Sequence, residues 1–183
     1  MLSSPNIKVL LNADFIEVVE VDYEERKVYF LGKEFKGKLI FTGSIDEFFN
    51  YEYDKLLYRS LKFEYETIEN EYYQEVGVIN YPNEYEFTRI TEYKHMTGQK
   101  SYNTTIAVEY PQEYDEKDIN KDIPFYPIPK KESIEFYKKY EERAKEFNNI
   151  IILERLGDYR YYNMDEVINK ALSIFYEYLI KNE

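Results

Sequence analysis

Cysteine and tryptophan are absent from this sequence, histidine occurs once, and glycine and proline occur six times each. Without cysteine there are no disulfides and no thiolate metal ligands, which fits a reducing cytosol. The single histidine, His95, excludes a multi-histidine metal site and argues against a serine or cysteine triad. The six glycines (Gly32, Gly37, Gly43, Gly77, Gly98, Gly157) contain no GxGxxG, so the chain carries no dinucleotide-binding turn. Long apolar runs are also missing, none approaching the ~18 residues of a membrane span. The amino end lacks the layout of a signal peptide. Positive charge is scarce: 24 lysines and arginines face 36 acids, a net charge of −12. No long-range positive field draws in nucleic acid or an anionic membrane. An anionic ligand must be held by a few of the six arginines: Arg26, Arg59, Arg89, Arg143, Arg155 and Arg160. A soluble cytoplasmic protein without metal is the expectation.

What is present is tyrosine, 22 residues of it, in a chain of 183 that is long enough for one sizeable core or one core plus a small annex. Aromatic rings suit sugar and base stacking, but a tyrosine-rich core or a biased genome explains the same count. The first forty residues read as short strands: Ile7 to Leu11, Phe15 to Val21, and Lys27 to Leu31 across a polar turn at 22–26. Lys38 to Thr42 reads as another, with Ser44 capping a helix from Ile45 to Tyr51. An antiparallel sheet follows over Leu57 to Tyr65, Glu75 to Tyr81, Phe87 to His95 and Thr104 to Tyr110. Residues 111–130 form a proline-rich loop, whose stiff Pro124-Phe-Tyr-Pro127 fixes the direction of Tyr126. Helices are predicted from Lys131 to Phe147 and from Met164 to Lys181, the latter opened by an Asn163 and Glu166 capping box. The fold class is α+β.

Three features point to chemistry. The stretch Arg155-Leu-Gly-Asp-Tyr-Arg-Tyr-Tyr-Asn-Met164 puts two arginines and three tyrosines between an apolar run, Ile150 to Leu153, and an amphipathic helix of Val167, Ile168, Ala171, Leu172, Phe175 and Leu179. Guanidinium forks and phenol hydroxyls donate to anionic oxygens in fixed directions, as a phosphorylated sugar requires. The same stretch reads equally as a tyrosine-rich surface turn. In Leu57, Arg59, Leu61, Phe63, Tyr65 the strand alternation puts an arginine on an apolar face, and Phe87, Arg89, Thr91, Tyr93, His95 does so again. A buried guanidinium needs a carboxylate, carbonyls or an anionic ligand, and the pattern does not choose among them.

Six blocks in order resemble one family: Phe41-Thr-Gly-Ser-Ile-Asp46, Leu57-Tyr-Arg-Ser-Leu-Lys-Phe-Glu64, Thr88-Arg-Ile-Thr-Glu-Tyr-Lys-His95, Glu109-Tyr-Pro111, Pro124-Phe-Tyr-Pro127 and the Arg155 to Met164 stretch. Their spacing is similar to the carboxyl-terminal half of bacterial UDP-galactopyranose mutase, from about Leu39 onward and more loosely back to Met1. The resemblance implies conversion of UDP-galactopyranose to UDP-galactofuranose with reduced FAD, for cell-surface polysaccharide, through a sugar adduct on flavin N5. It implies Arg89, Tyr126 and Tyr161 as substrate-binding residues against the diphosphate, and Arg155, Arg89 and Asn163 as cofactor-binding residues. No catalytic residue is assigned to this half. The resemblance divides the chain into 1–50 with 148–183, a remnant of the FAD-binding α/β domain; 51–130, the sheet; and 131–147, a connecting helix.

The departures carry weight too. Asn163 stands where the family has aspartate, Leu153-Glu154 where it has a glycine pair, and Tyr93 where it has a histidine. Asn50, Glu52 and Asp54 leave a neighbouring family pattern. The family's GxGxxG lies in an amino-terminal half that has no counterpart here. The chain alone is therefore expected to neither hold FAD nor turn over, and to need a separate FAD-binding half. A non-enzymatic sugar-nucleotide-binding module, or an interaction module that forms a homo-oligomer, is the alternative.

Overall fold

The computed structural model describes residues 2–82 and 84–180, with side chains only to residue 177 in the last helix. The expected α+β class holds, and the antiparallel sheet is its centre. Five strands, β5 (Tyr58–Ile68), β6 (Val78–Asn80), β7 (Arg89–Glu92), β8 (Thr104–Glu113) and β9 (Tyr126–Pro127), run in the spatial order β6-β7-β8-β5-β9. Every neighbouring pair is antiparallel. β5 and β8 form its long spine, pairing Arg59 with Glu113 at one end and Ile68 with Thr104 at the other. β-Branched and aromatic residues dominate both strands, as a pleated, half-buried surface favours.

Two boundaries differ from the sequence reading. Pro111 lies inside β8 rather than in a loop, opposite Leu61. It is tolerated because β7 begins opposite Glu109, so this stretch of β8 has no β7 neighbour requiring the missing N–H. β7 ends at Glu92, and His95 sits in a helical turn, α3 (Lys94–Thr97), closed by Gly98 at φ +65°. The loop expected over 111–130 shrinks accordingly, since residues 111–113 and 126–127 are strand.

The amino-terminal reading needs more correction. Ile7 to Leu11 has no strand partner and lies exposed. Phe15 to Val21 splits into a helical turn, α1 (Phe15–Val18), and β1 (Val19–Asp22). Asp14 wins the competition with strand propensity by capping: its Oδ1 accepts from the Ile16 N–H at 3.2 Å. β1 pairs antiparallel with β2 (Lys27–Phe30), which pairs with β3 (Lys33–Glu34). The intervening turn forms because Asp22 Oδ1 accepts from the Glu24 and Glu25 amides at 3.1 and 2.8 Å. β4 (Leu39–Phe41) pairs in parallel with β10 (Ile150–Ile152), giving a separate two-stranded sheet.

Helices α2 (Ile45–Phe48), α4 (Lys131–Lys145), α5 (Glu154–Gly157) and α6 (Met164–Ile174) complete the chain. Ser44 occupies the first cap but makes no side-chain bond there, and α2 stops well short of Tyr51. α6 starts on Asn163, whose N–H donates to Glu166 Oε2 at 2.8 Å, and continues as a wider π-helical turn, Phe175–Ile180. The predicted end at Lys181 and the side chain of Leu179 lie outside the described residues.

The core is aromatic. Phe41, Ile45, Phe48, Phe49, Leu56, Tyr58, Tyr140, Phe147 and Tyr159 form one buried cluster joining β4, α2, α4 and the start of β5. Tyr140 is fully buried, and its hydroxyl donates to the Asp54 carbonyl at 2.6 Å and accepts from the Tyr53 amide at 3.0 Å. Tyrosine thus works here as a large apolar body with a satisfied polar tip. Tyr58 and Tyr159 play the same role, whereas Tyr65, Tyr72, Tyr73, Tyr85, Tyr93, Tyr102, Tyr161 and Tyr176 are exposed. Asp46 is buried in the same region, accepting from Leu56 N–H at 2.8 Å and Tyr58 O–H at 2.9 Å. Among the described residues no helix is long and apolar enough to cross a membrane.

Candidate functional site

Strand register decides which side chains share a face, because directly opposed residues in an antiparallel pair point the same way. Arg89 is opposite both Asn80 and Glu109, and Glu109 is opposite Phe63. Two residues along, Leu61 faces Pro111; two further, Arg59 lies between Glu113 and Tyr126. One face of the sheet therefore carries Arg89, Glu109, Arg59 and Tyr126 in neighbouring rows. The opposite face takes Tyr58, Ser60, Ile90, Glu92 and Ile106, all buried. Hence the sequence reading of the two arginines needs correction. Both lie on the less buried face, and Arg59 is exposed.

The loop after α5 closes over that face. Tyr159 anchors it: its hydroxyl lies 2.8 Å from the Leu57 carbonyl and 2.7 Å from that of Ile128, and accepts from the Leu57 N–H at 3.2 Å. This one phenol ties the loop to the start of β5 and the exit of β9, and so sets the position of Tyr161. Tyr161, Tyr126, Arg89, Arg59 and Glu109 then line a single hollow of about 450 Å³. That volume lies within the range of small-ligand sites.

Each predicted site residue can be placed. Arg89 is only half-enclosed: its side chain is 39% exposed, Nε donates to Asn80 Oδ1 at 3.0 Å, and Nη1 lies 3.5 Å from Glu109 Oε2. Glu109 also accepts from Thr88 Oγ1 at 3.0 Å. A pair this open to water is worth at most about 1 kcal/mol. Tyr126 and Tyr161 meet with ring centroids 5.9 Å apart. The Arg155 guanidinium sits over both, 5.1 and 4.9 Å from their centroids, and donates from Nη2 to the Tyr162 carbonyl at 2.8 Å. Such stacking favours a guanidinium over an ammonium. Arg155 backs the two rings without lining the hollow, and its Nε is buried without a partner. Asn163 is not brought into the cluster; it is exposed at the cap of α6. Sequence reasoning placed neither Glu109 nor Arg59 in the site, although the alternation around Arg59 was the available signal.

His95 belongs elsewhere. Its ring packs tilted against Tyr72, centroids 4.8 Å apart, with Nε2 2.9 Å from the Gln74 carbonyl and 3.3 Å from Glu92 Oε2. Among the described residues no group of three metal-ligating side chains is placed to hold an ion.

A flavin fits these residues poorly. The chain has no GxGxxG, and the strand-to-helix turn at the end of β10 presents Leu153 and the carboxylate of Glu154 where a cofactor needs close backbone approach. Glu154 sits at φ +87°, a conformation that favours glycine. The Arg155 Nε there is buried without a partner.

An antiparallel sheet with a hollow on one face, lined by Arg59, Arg89, Glu109, Tyr126 and Tyr161, makes this an α+β protein with one candidate ligand site on its sheet. The sequence model of one family, UDP-galactopyranose mutase, matches residues 1–161. The chain belongs to the UDP-galactopyranose mutase family. It is 34% identical over 170 residues to UDP-galactopyranose mutase of Mycoplasma genitalium, covering 92% of this chain and 41% of the relative. It is 33% identical over 184 residues to dTDP-fucopyranose mutase of Escherichia coli, covering 100% of this chain and 46% of the relative. A crystal structure of reduced UDP-galactopyranose mutase shares the fold at a TM-score of 0.66 and 14% identity, over 91% of this chain and 46% of that one. The chain thus spans less than half the length of these relatives.

Proposed function

We propose that this chain is the carboxyl-terminal portion of a nucleotide-sugar pyranose–furanose mutase, and that its hollow holds the diphosphate of the substrate. UDP-galactopyranose and UDP-galactofuranose are the substrate pair suggested by the family. The dTDP-fucopyranose mutase, similar along the whole chain, has a different base and sugar but the same diphosphate link. The feature common to both is what this hollow is equipped to bind. The observation that carries the reading is the convergence of Arg89, Tyr126 and Tyr161, from three separate parts of the chain, on one hollow.

In this reading the two phenols donate to phosphate oxygens, and Arg155 keeps their rings in place from behind. FAD and its phosphate-binding turn belong to the amino-terminal half of such an enzyme, against which Arg155 would lie. The same reading assigns 1–50 and 148–183 to the cofactor side, 51–130 to the substrate side and 131–147 to the connection between them. The assembled protein works in the cytoplasm. Asn163 keeps the helix cap but not the charge of the family's aspartate. The test is reconstitution. The isolated chain should purify colourless and leave UDP-galactofuranose unchanged, whereas mixing with a GxGxxG-containing amino-terminal half should retain flavin and restore isomerisation. A yellow, active isolated chain would refute the proposal.

A second reading, a sugar-nucleotide-binding module without catalysis, is favoured by Leu153-Glu154 at the cofactor turn. It predicts micromolar UDP binding by the isolated chain in calorimetry and no gain on mixing.

A further inference from the structure

The two phenols that line the hollow are held by different means. Tyr126 is fixed through its backbone. It pairs with Arg59, and that pairing is clipped by Phe125 N–H to the Arg59 carbonyl at 2.9 Å and by Ile128 N–H to the Leu57 carbonyl at 2.8 Å. Tyr161 is 56% exposed and makes no hydrogen bond of its own among the described residues. Its ring meets Tyr126 and the Arg155 guanidinium. The loop that carries it is tied to α6 by Asp158, through Lys170, and to the sheet by the hydroxyl of Tyr159.

That hydroxyl reaches both sides of the hollow. It lies against the carbonyl of Ile128, two residues after Tyr126, and Tyr159 itself stands two residues before Tyr161. It also meets the N–H and the carbonyl of Leu57, two residues before Arg59. One buried oxygen is thus the same short step along the chain from each ligand-facing phenol. The backbone is bent to put it there. Tyr159 has φ +48°, a region that a residue with a Cβ enters at a cost and keeps only where its surroundings enforce it. The enforcement comes from its ring, which is T-shaped against Tyr58 at 5.6 Å and stacked on Tyr137 at 5.8 Å.

We propose that Tyr159 is a positioning residue: its hydroxyl touches no ligand and sets the spacing between Tyr126 and Tyr161, on which the grip on substrate depends. The substrate class rests on the function proposed above, whereas the spacing can be read in the isolated chain. Phenylalanine at this position would keep the ring packing and lose the link between loop and sheet. Tyr140 supplies a matched comparison. It is equally buried, and its hydroxyl also donates to one carbonyl and accepts from one amide, but those belong to Asp54 and Tyr53, which do not line the hollow.

The experiment compares Tyr159→Phe with Tyr140→Phe. Each removes one buried oxygen bonded to backbone, so each should lower the folding equilibrium constant about tenfold. In NMR of the isolated chain with labelled tyrosines, the NOE between the Tyr126 and Tyr161 rings should be present in wild type and in Tyr140→Phe, and lost in Tyr159→Phe. Cross-strand NOEs between β5 and β8 should persist in all three. In the protein reconstituted with an amino-terminal half, Tyr159→Phe should raise KM for UDP-galactofuranose about tenfold and leave kcat within about threefold, the mark of lost uniform binding. Tyr140→Phe should shift neither by more than about twofold. A ring–ring NOE that survives in Tyr159→Phe, or that both variants lose, would overturn the proposal. So would a KM left unmoved by Tyr159→Phe or moved equally by both. Loss of the β5–β8 NOEs in Tyr159→Phe would make the hydroxyl a general determinant of folding and overturn it as well. A wild type that fails to reconstitute would count against the wider function alone, and the NOE comparison would still decide the spacing.

Discussion

The five-stranded sheet and the two-stranded parallel pair are built to different degrees of completion. Around the sheet, buried polar groups are mostly matched, with Gln74 Oε1 the exception. Glu92, fully buried, accepts from Thr104 Oγ1 at 2.5 Å and from the Tyr73 and Gln74 amides at 3.1 and 3.0 Å. Beside it Lys94 Nζ donates to the Glu71 and Ser101 carbonyls at 2.6 and 2.5 Å and lies over the Tyr72 ring. The parallel pair is the reverse. β4 and β10 contribute three residues each, yet parallel strands are ordinarily covered on both faces. Ile40 is 48% exposed, and along α6 Met164, Ile168 and Leu172 are 83%, 60% and 50% exposed. Ile7 to Leu11 runs unpaired, and the turn after β10 leaves the Arg155 Nε unbonded. The sheet carries a buried polar network of its own; the other region rests on the aromatic cluster and leaves apolar surface in water.

The largest effect should come from breaking the better-satisfied half. Glu92→Ala strands the Thr104 hydroxyl and two amides in the interior. It should cost about 3 kcal/mol, the lost bonds adding to the penalty for buried donors without partners. Urea denaturation measures it, and a loss under about 1 kcal/mol would mean that the Glu92 pocket admits water. Next comes hydrogen exchange. β8 is bonded on both sides, by β7 and β5, whereas β4 and β10 have one neighbour each. Amides of Ile106 and Val108 should be protected at least about thirtyfold more than those of Ile40 and Ile151, a gap of about 2 kcal/mol in opening free energy. Equal protection would show that the chain opens as one unit, and would remove the contrast between the regions.

Acid should separate the two regions by sign. Burial works to raise the Glu92 carboxyl, but bonds from Thr104, Gln74 and Tyr73 and the neighbouring His95 outweigh it and hold the group below its ordinary range. Its stabilising contribution is therefore present above the unfolded carboxylate value, about 4.3, and fades as pH falls through the folded value. Asp46 goes the other way. Desolvation pushes it up, only partly offset by Leu56 N–H and Tyr58 O–H. Its contribution is fully present below the unfolded value, about 3.9, and is lost as pH rises through the folded one. Stability curves of Glu92→Gln and Asp46→Asn between pH 3 and 7, from about one unit below the reference values to about three above, should diverge from wild type at opposite ends. Parallel curves would show that neither carboxylate is coupled to folding.

How much of this was legible in the sequence follows from how local each determinant is. The spine of the sheet was readable, because Leu57 to Tyr65 and Thr104 to Tyr110 carry β-branched and aromatic residues in alternation. Ile7 to Leu11 is also largely apolar but forms no strand, since pairing needs a partner elsewhere and no local signal supplies one. Asp14 shows the converse, a single capping side chain turning Phe15–Val18 helical within an apparent strand. In the site, the resemblance gathered Arg89, Tyr126 and Tyr161 around one diphosphate, but the register that places them was not readable. Which face Arg59 occupies depends on its register with Tyr126 and Glu113, and whether that face is buried depends on what covers it. Glu109 as the neutraliser of Arg89 became visible only once the two strands were aligned.

The smallest predicted effect sharpens the comparison at its weakest point. Glu154 holds φ +87° directly after β10, in a region of backbone space that L-residues with a Cβ enter at a cost of roughly 1 kcal/mol. Glycine enters without that penalty but loses more freedom on folding, so the two terms partly cancel. Glu154→Gly should therefore stabilise the chain by about 0.5 kcal/mol at most, seen as a rise of about one or two degrees in thermal midpoint. Glu154→Ala separates strain from charge, because it keeps the Cβ and removes the carboxylate. It should leave stability near wild type if the backbone is the cause. A stabilised Glu154→Ala with an unchanged Glu154→Gly would locate the problem in the carboxylate, and the turn after β10 would then be limited by charge rather than by conformation.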